Sequence, residues 1–374
     1  MIFIIIGPAG LLVKPREGAK GVDEGRKACY AKHEMKNRRF SGLLGDAETV
    51  VMLGMCKNAG KTTALCRLIR EYSEEDSAPL ALTSVGRDGE STDLVTGTEK
   101  PPIYMYEGML AATAKELLPL ADVSREILAS TGLFTSLGEV MIFRARSDGF
   151  VQLAGPAIVE QLRPLRDMLR SFGAGRMMID GALSRRSPAA AASGGAVVLS
   201  TGASLDRSMR RVIEETAFAA EILGLPAEAL PEGAAFPGPE KRFALIRADG
   251  TAESVENLTA LPRRENEECL LVSGAFTQAQ ARSLLLGPSR KEGLTIEVRD
   301  ASCLMLQRET YEALKARGVR FAAEHAARLA AVTVNPFSAG GWTFPADEFL
   351  EKMQEAVGVP VLNVIEESDD PAEL

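Results

Sequence analysis

The chain has 374 residues, 46% of them hydrophobic and 25% charged, enough for one large or two ordinary domains with a sizeable core. A formal net charge of -8 and 5% aromatic residues, with one Trp, argue against a nucleic-acid partner, which needs clustered Lys and Arg or a stacking platform. Cys29, Cys56, Cys66, Cys269 and Cys303 include no C-x-x-C pair and only two histidines accompany them, so free thiols in a reducing, cytoplasmic setting are expected rather than a zinc site.

The opening run MIFIIIGPAGLL is too short to cross a bilayer, and no membrane association is expected. Residues 14 to 39 are rich in Lys, Arg and Gly, so 1–45 reads as a poorly structured extension. Thr49 to Gly54 (TVVMLG) is an apolar run of the kind buried on both faces of a parallel sheet. The glycine loop Gly54 to Thr63 (GMCKNAGKTT) follows directly, and Thr62 to Tyr72 then carries Leu65, Leu68 and Ile69 at helical spacing.

Pro79 to Val85 reads as a second strand, ending in the acidic turn Gly86 to Glu90. Ile103 to Glu107 reads as a short strand and Ala111 to Leu118 as a helix stopped by Pro119. Glu139 to Arg144 and Phe150 to Leu153 are strands around a Ser-Asp-Gly turn, either a hairpin or two parallel members. Pro156 to Phe172 is an amphipathic helix that Pro164 can kink. Arg176 to Asp180 and Ala196 to Ser200 are strands, and Leu205 to Leu223 is a helix capped by Gly224. Arg207, Arg210 and Arg211 read as its solvated face.

Pro, Gly and Ala then dominate, and residues 229–241 read as a linker. Strands are expected at Phe243 to Arg247, Cys269 to Ser273, Leu294 to Arg299, Val332 to Asn335 and Pro360 to Val364. A helix begins near Thr277, and another covers Phe349 to Val357. The expected organisation is therefore α/β, a mostly parallel sheet flanked by helices. It divides into a nucleotide-binding domain 46–228, a C-terminal α/β part 242–366 and an acidic tail 367–374.

A glycine-rich turn between strand and helix points consecutive backbone N–H groups at an anion, and the helix adds its positive end. A triphosphate in this loop would lie against Gly54, Lys57, Asn58, Ala59, Gly60, Lys61, Thr62 and Thr63. Lys61 is expected on the β- and γ-phosphates and the Thr62 hydroxyl on Mg²⁺. Gly54 and Gly60 are separated by five residues, one more than the common spacing. Cys56 sits where a nest of N–H groups can lower a thiol pKa. Asp180 ends an apolar strand, as a Mg²⁺-holding aspartate does. Asp88 or Glu90 could contact the metal or orient the attacking water. The catalytic candidates are thus Lys61, Asp88 and Asp180, with Thr62, Asp180 and Asp88 toward the metal. Asn335 is a candidate for the base edge, and the missing N-K-x-D pattern favours ATP over GTP.

The longer glycine spacing resembles the branch of P-loop nucleoside triphosphatases that includes dethiobiotin synthetase, cobyrinate amidase and the MinD/ParA ATPases. In the MinD/ParA group a loop lysine reaches across a homodimer; Lys57 stands one place from that position. Together, GMCKNAGKTT, TSVGRDGE, Lys100 to Ile103, Met109 to Thr113, IDGALSR and VNPFS resemble a narrower family. It is the P-loop subunit of the reactivating factor of adenosylcobalamin-dependent lysine 5,6-aminomutase. This resemblance spans about residues 48 to 365. It implies an ATP-hydrolysing, Mg²⁺-dependent protein that works with the aminomutase and a second reactivase subunit to release damaged cofactor. The alternatives are a dethiobiotin synthetase-type ligase, for which Lys100, Glu107 and Arg185 are substrate candidates, and a nucleotide-switched regulator without fast turnover. A cofactor-loading GTPase is disfavoured by the missing guanine pattern. Arg185 and Arg186 are candidate phosphate or partner contacts.

Overall fold

All six residues of Thr49–Gly54 (β1) are buried, with alternate side chains in separate cores. Val51 and Leu53 join one cluster, Val50 and Met52 the other. Such two-sided burial explains the uninterrupted apolar run. The computed structural model describes residues 39–74, 78–85, 102–156, 158–181, 195–228, 230, 234–238, 241–247, 249–256, 258–261, 268–287 and 293–365.

The remaining strands, in chain order, begin with Leu80–Ser84 (β2), Ile103–Met105 (β3), Leu110–Ala114 (β4), Arg125–Thr135 (β5), Gly138–Ala145 (β6) and Gly149–Val151 (β7). Arg176–Asp180 (β8), Ala196–Gly202 (β9), Phe243–Ile246 (β10), Ala252–Ser254 (β11), Glu268–Val272 (β12) and Phe276–Thr277 (β13) follow. Leu294–Val298 (β14), Leu304–Met305 (β15), Arg320–Ala323 (β16), Arg328–Asn335 (β17) and Val361–Asn363 (β18) complete the set. The helices are Lys61–Ser73 (α1), Leu162–Ser171 (α2), Met209–Leu223 (α3), Gln278–Leu286 (α4), Arg308–Lys315 (α5) and Ala346–Ala356 (α6).

A nine-stranded sheet runs β18-β17-β9-β1-β8-β2-β4-β6-β5. Every pairing from β18 to β4 is parallel, and β6 and β5 add an antiparallel edge. Helix α1 covers one face, while α2, α3 and α6 cover the other. The protein is thus α/β, with a large, mostly parallel sheet between helices. A second sheet, β11-β10-β12-β14-β16, carries α4 and α5. No helix among the described residues is long and apolar enough to cross a membrane.

The second sheet is an insertion between α3 and β17. The expected C-terminal part 242–366 therefore divides: β10 to β16 form the second sheet, whereas β17 and β18 return to the first. Helix α5 docks the insertion onto α3. Arg308 pairs with Glu214 at 3.0 Å, the Tyr311 hydroxyl donates to Glu221 at 3.1 Å, and the Phe218 and Tyr311 rings meet edge to face. The linker participates too, for Arg299 lies 4.8 Å over the Phe236 ring, and just before the linker the Pro226 carbonyl accepts the Ala323 N–H.

Other expectations need correcting. Residues 1–38 lie outside the described residues, but Phe40 and Leu44 are fully buried around a 3₁₀ turn, so the folded part starts before residue 45. The Ser41 N–H donates to Glu71, and Arg328 donates to the Leu43 and Leu44 carbonyls. Ala111 to Leu118 is not a helix. Leu110–Ala114 is a fully buried strand beside β2, and its alanines fit between two packed layers, where tertiary context overrides helix propensity. The 3₁₀ turn Lys115–Leu120 follows it. β6 and β7 are not partners, because β7 pairs with β3. Pro164 kinks nothing, since it stands in the first turn of α2.

Candidate functional site

The C-terminal ends of β2, β8, β1, β9 and β17 lie side by side. The chain leaves β1 toward β2 on one side, and β9 and β17 extend the sheet on the other. Such a reversal opens a crevice at the carboxyl ends of parallel strands. The 54–63 loop stands at its centre.

Two backbone positions shape the loop. Asn58 (φ 58°) and Gly60 (φ 83°) are left-handed, and asparagine and glycine adopt that region at least cost. A side chain on Gly60 would also press against the Asn335 Cβ at 3.3 Å. Gly54 is less constrained, since a Cβ there meets only ordinary contacts at 3.5 Å. The Met55 N–H donates to the Ser200 carbonyl at 2.9 Å, which ties the loop's start to β9. Ala59 is buried, whereas Lys57 and Asn58 are exposed.

Helix α1 begins at Lys61 without a side-chain cap and without an acidic residue in its first turn. Its positive end therefore faces the loop uncompensated by a carboxylate of its own. Thr62 and Thr63 occupy that turn. Lys61 Nζ donates to Asp180 Oδ1, joining α1 to the end of β8. The Asp180 side chain is 3% exposed and that of Lys61 19%, so the pair is substantially removed from water. The Asp180 carbonyl accepts the Val85 N–H, and the Gly181 N–H donates to the Met52 carbonyl, which fixes this strand end between its neighbours. The structure thus joins Lys61 with Asp180. Asp88 and Glu90 lie outside the described residues, as do Arg185, Arg186 and Lys100. Glu107 is exposed, and its N–H bonds Asp148 at 2.8 Å.

Asn335 stands against the glycine loop. Its Nδ2 donates to the Asn58 carbonyl at 2.9 Å, and its Oδ1 accepts the Phe337 N–H at 2.9 Å. Both ends of the amide are engaged, and the side chain staples the glycine loop to the turn after β17. The thiol of Cys56 is unlike the expectation. Burial pushes its pKa up to about 11, so it stays protonated at neutral pH. Arg210 and Arg211 lie on the exposed face of α3, as expected, with side chains 88% and 68% exposed. Arg207 precedes α3 and lies 4.9 Å over the Trp342 ring, while the other two pair with Glu214 and Asp206.

Several residues of this edge carried no sequence signal. Thr83, Ser84, Ser200, Thr201 and Thr333 are buried polar strand residues, and their bonds make the edge rigid. Thr83 Oγ1 donates to the Ala112 carbonyl at 3.0 Å, and Thr333 Oγ1 to Ser200 Oγ at 2.8 Å. Gly155 packs directly on the end of β2. Its N–H donates to Ser84 Oγ at 3.2 Å, and a Cβ there would fall 2.1 Å from the Ser84 carbonyl oxygen. Close approach of two backbones requires glycine.

Comparison with models of known protein families, with curated proteins and with solved structures found no match. A cleft of about 780 Å³ lies at the opposite edge of the first sheet, between α3, α5 and the start of β17. Its charged lining includes Glu214 and Arg308, which pair with each other, and Glu221, which binds Lys315 and Tyr311. Its chemistry is that of the interface between α3 and α5. The left-handed loop, uncapped helix and buried ammonium–carboxylate pair make the loop edge the better candidate.

Proposed function

We propose that the chain binds ATP with Mg²⁺ at the 54–63 loop and hydrolyses it, as a P-loop nucleoside triphosphatase. One observation carries this reading: the Lys61 ammonium rests on the buried Asp180 carboxylate at the mouth of a loop that opens onto an uncapped helix. An anionic phosphate competes with Asp180 for that ammonium. Binding would therefore draw Lys61 toward the phosphate and release a carboxylate for other work. Loop N–H groups and the first turn of α1 would hold the rest of the triphosphate.

The Thr62 hydroxyl and the Asp180 carboxylate are hard oxygen donors suited to Mg²⁺. No group of three His, Cys, Asp or Glu among the described residues is arranged to cage a metal unaided. When bound, Mg²⁺ would neutralise charge on the phosphates. Asp88 or Glu90 would orient the attacking water.

The finer reading is a reactivating subunit for an adenosylcobalamin-dependent aminomutase, working with a second subunit. It rests on the sequence resemblance, and the nucleotide-linked movement of Lys61 between two partners supplies a two-state element for it. The test is Mg²⁺-dependent ATP and GTP hydrolysis by the purified chain, alone and with an adenosylcobalamin aminomutase. Stimulated ATP turnover supports the role. Turnover indifferent to the mutase removes it and leaves the triphosphatase reading. No nucleotide binding at all removes both.

A further inference from the structure

Phe337 is a large aromatic side chain left 49% exposed beside the glycine loop. A single exposed apolar residue is ordinary on a protein surface. This one differs in being held fast in a particular place. Its N–H donates to Asn335 Oδ1, and Asn335 in turn donates to the Asn58 carbonyl within the loop. Phe337 also bridges to Thr343 across a tight turn, in which Ser338 N–H bonds the Trp342 carbonyl at 3.0 Å and Gly341 N–H the Ser338 carbonyl at 3.0 Å. Beneath that turn the Trp342 indole N–H donates to the Ala203 carbonyl at 3.1 Å, and Arg207 covers its ring. The aromatic residue therefore stands on a scaffold tied to the loop, to β9 and to β17.

The loop itself sets the direction of a bound nucleotide. Lys61 and Asp180 lie on the β8 side, so the terminal phosphate belongs there. The nucleoside must then leave the loop toward β9 and β17, where Asn335 and Phe337 stand. Resting on the nucleotide reading above, we infer that Phe337 is the stacking platform for the nucleobase. Recognition is by the face of the base, which an exposed aromatic ring can cover. The turn from Asn335 to Pro345 (NPFSAGGWTFP) contains no carboxylate to accept from the ring N–H and amino group of guanine. Stacking tolerates either purine, since every base has a π-face.

Inorganic tripolyphosphate separates this platform from the loop, because it carries the phosphates without a base. Affinities of the full chain for ATP, GTP and tripolyphosphate with Mg²⁺ are measured by calorimetry, for the parent, Phe337→Ala and Phe337→Trp. The expected result is a roughly tenfold loss of ATP affinity in Phe337→Ala, the size seen when a stacked base loses its aromatic partner. Tripolyphosphate affinity stays unchanged, Phe337→Trp restores ATP binding, and the parent binds ATP and GTP within a few-fold. Tripolyphosphate binding with no loss of ATP affinity in Phe337→Ala overturns the platform and leaves the loop reading standing. Equal losses for ATP and tripolyphosphate overturn it as well, showing a structural role. A parent chain that binds neither ligand overturns the loop reading and the platform together.

Discussion

Two buried carboxylates, one in each sheet, solve the same electrostatic problem in opposite ways. Asp180 ends β8 in the first sheet and is 4% exposed; Glu297 stands in β14 of the second and is 1% exposed. An isolated ionised carboxylate is costly in such surroundings. Asp180 is met by the Lys61 ammonium. Glu297 instead accepts from the Cys269 thiol at 3.4 Å, and burial holds its pKa above the usual carboxylate range, with Glu228 and Glu324 pushing the same way. Burial, followed by the Glu297 charge, raises the Cys269 thiol as well. The difference teaches which acid has a charged partner to give up. A carboxylate paired with a mobile cation can exchange partners when an anion arrives, whereas one that tends to keep its proton has little to exchange.

Removing the cation tests this contrast most severely. Lys61→Ala leaves the Asp180 charge without its ammonium and is expected to cost about 3 kcal/mol of stability in urea melts. It should also abolish ATP binding, and unchanged tight binding would refute the placement of the phosphates. Asp180→Ala should lower Mg²⁺-dependent turnover more than ATP affinity.

Packing at the loop edge sharpens the comparison next. Gly155→Ala drives a Cβ into the end of β2, 2.1 Å from the Ser84 carbonyl oxygen and 2.4 Å from Thr83 Oγ1. Overpacking of this kind costs about 1–3 kcal/mol, readable as a lowered denaturation midpoint. Gly60→Ala should cost about 1–2 kcal/mol from its left-handed backbone and weaken triphosphate binding. Gly54→Ala, whose new Cβ meets only ordinary contacts, should perturb stability less. Equal effects of Gly54→Ala and Gly60→Ala would argue against Gly60 as the strained position.

The mildest change is expected at the other carboxylate. A carboxyl whose folded pKa lies above its unfolded value favours the native state while it holds its proton. That contribution is full below the unfolded value, about 4.3 for glutamate, and is lost as pH rises through the raised folded value. Glu297→Gln removes the titration, so the variant should lose less stability than the parent as pH rises from about 4 through the raised folded value. Urea melts across that range check it. Parallel profiles for the two proteins would show that another group carries the pH dependence.

Much of the first sheet was legible because buried parallel strands are short apolar runs. β1 and β8 match their expected limits, and β2 and β9 differ only at their ends. β5 was missed because it is an exposed edge strand whose pairing shifts twice, between Ile127 and Ala129 and between Ser130 and Phe134, which breaks the alternation. Helix α5 and strand β16 were also passed over, and both belong to the inserted sheet.

At the candidate site, the glycine loop, Lys61 and Asp180 announced themselves through local pattern. Glycine at a left-handed turn, a lysine opening a helix and an aspartate closing an apolar strand are properties of neighbouring residues. The sequence by itself therefore determined the α/β alternation and the residues of the loop. Tertiary structure alone decided that β17 returns beside β9 after an entire inserted sheet, bringing Asn335 to the Asn58 carbonyl across 277 positions of chain. It likewise decided that partial burial raises the pKa of the Cys56 thiol and that Gly155 lies on Ser84. Such contacts depend on strand order and close packing between distant segments, and short-range sequence spacing carries no record of either.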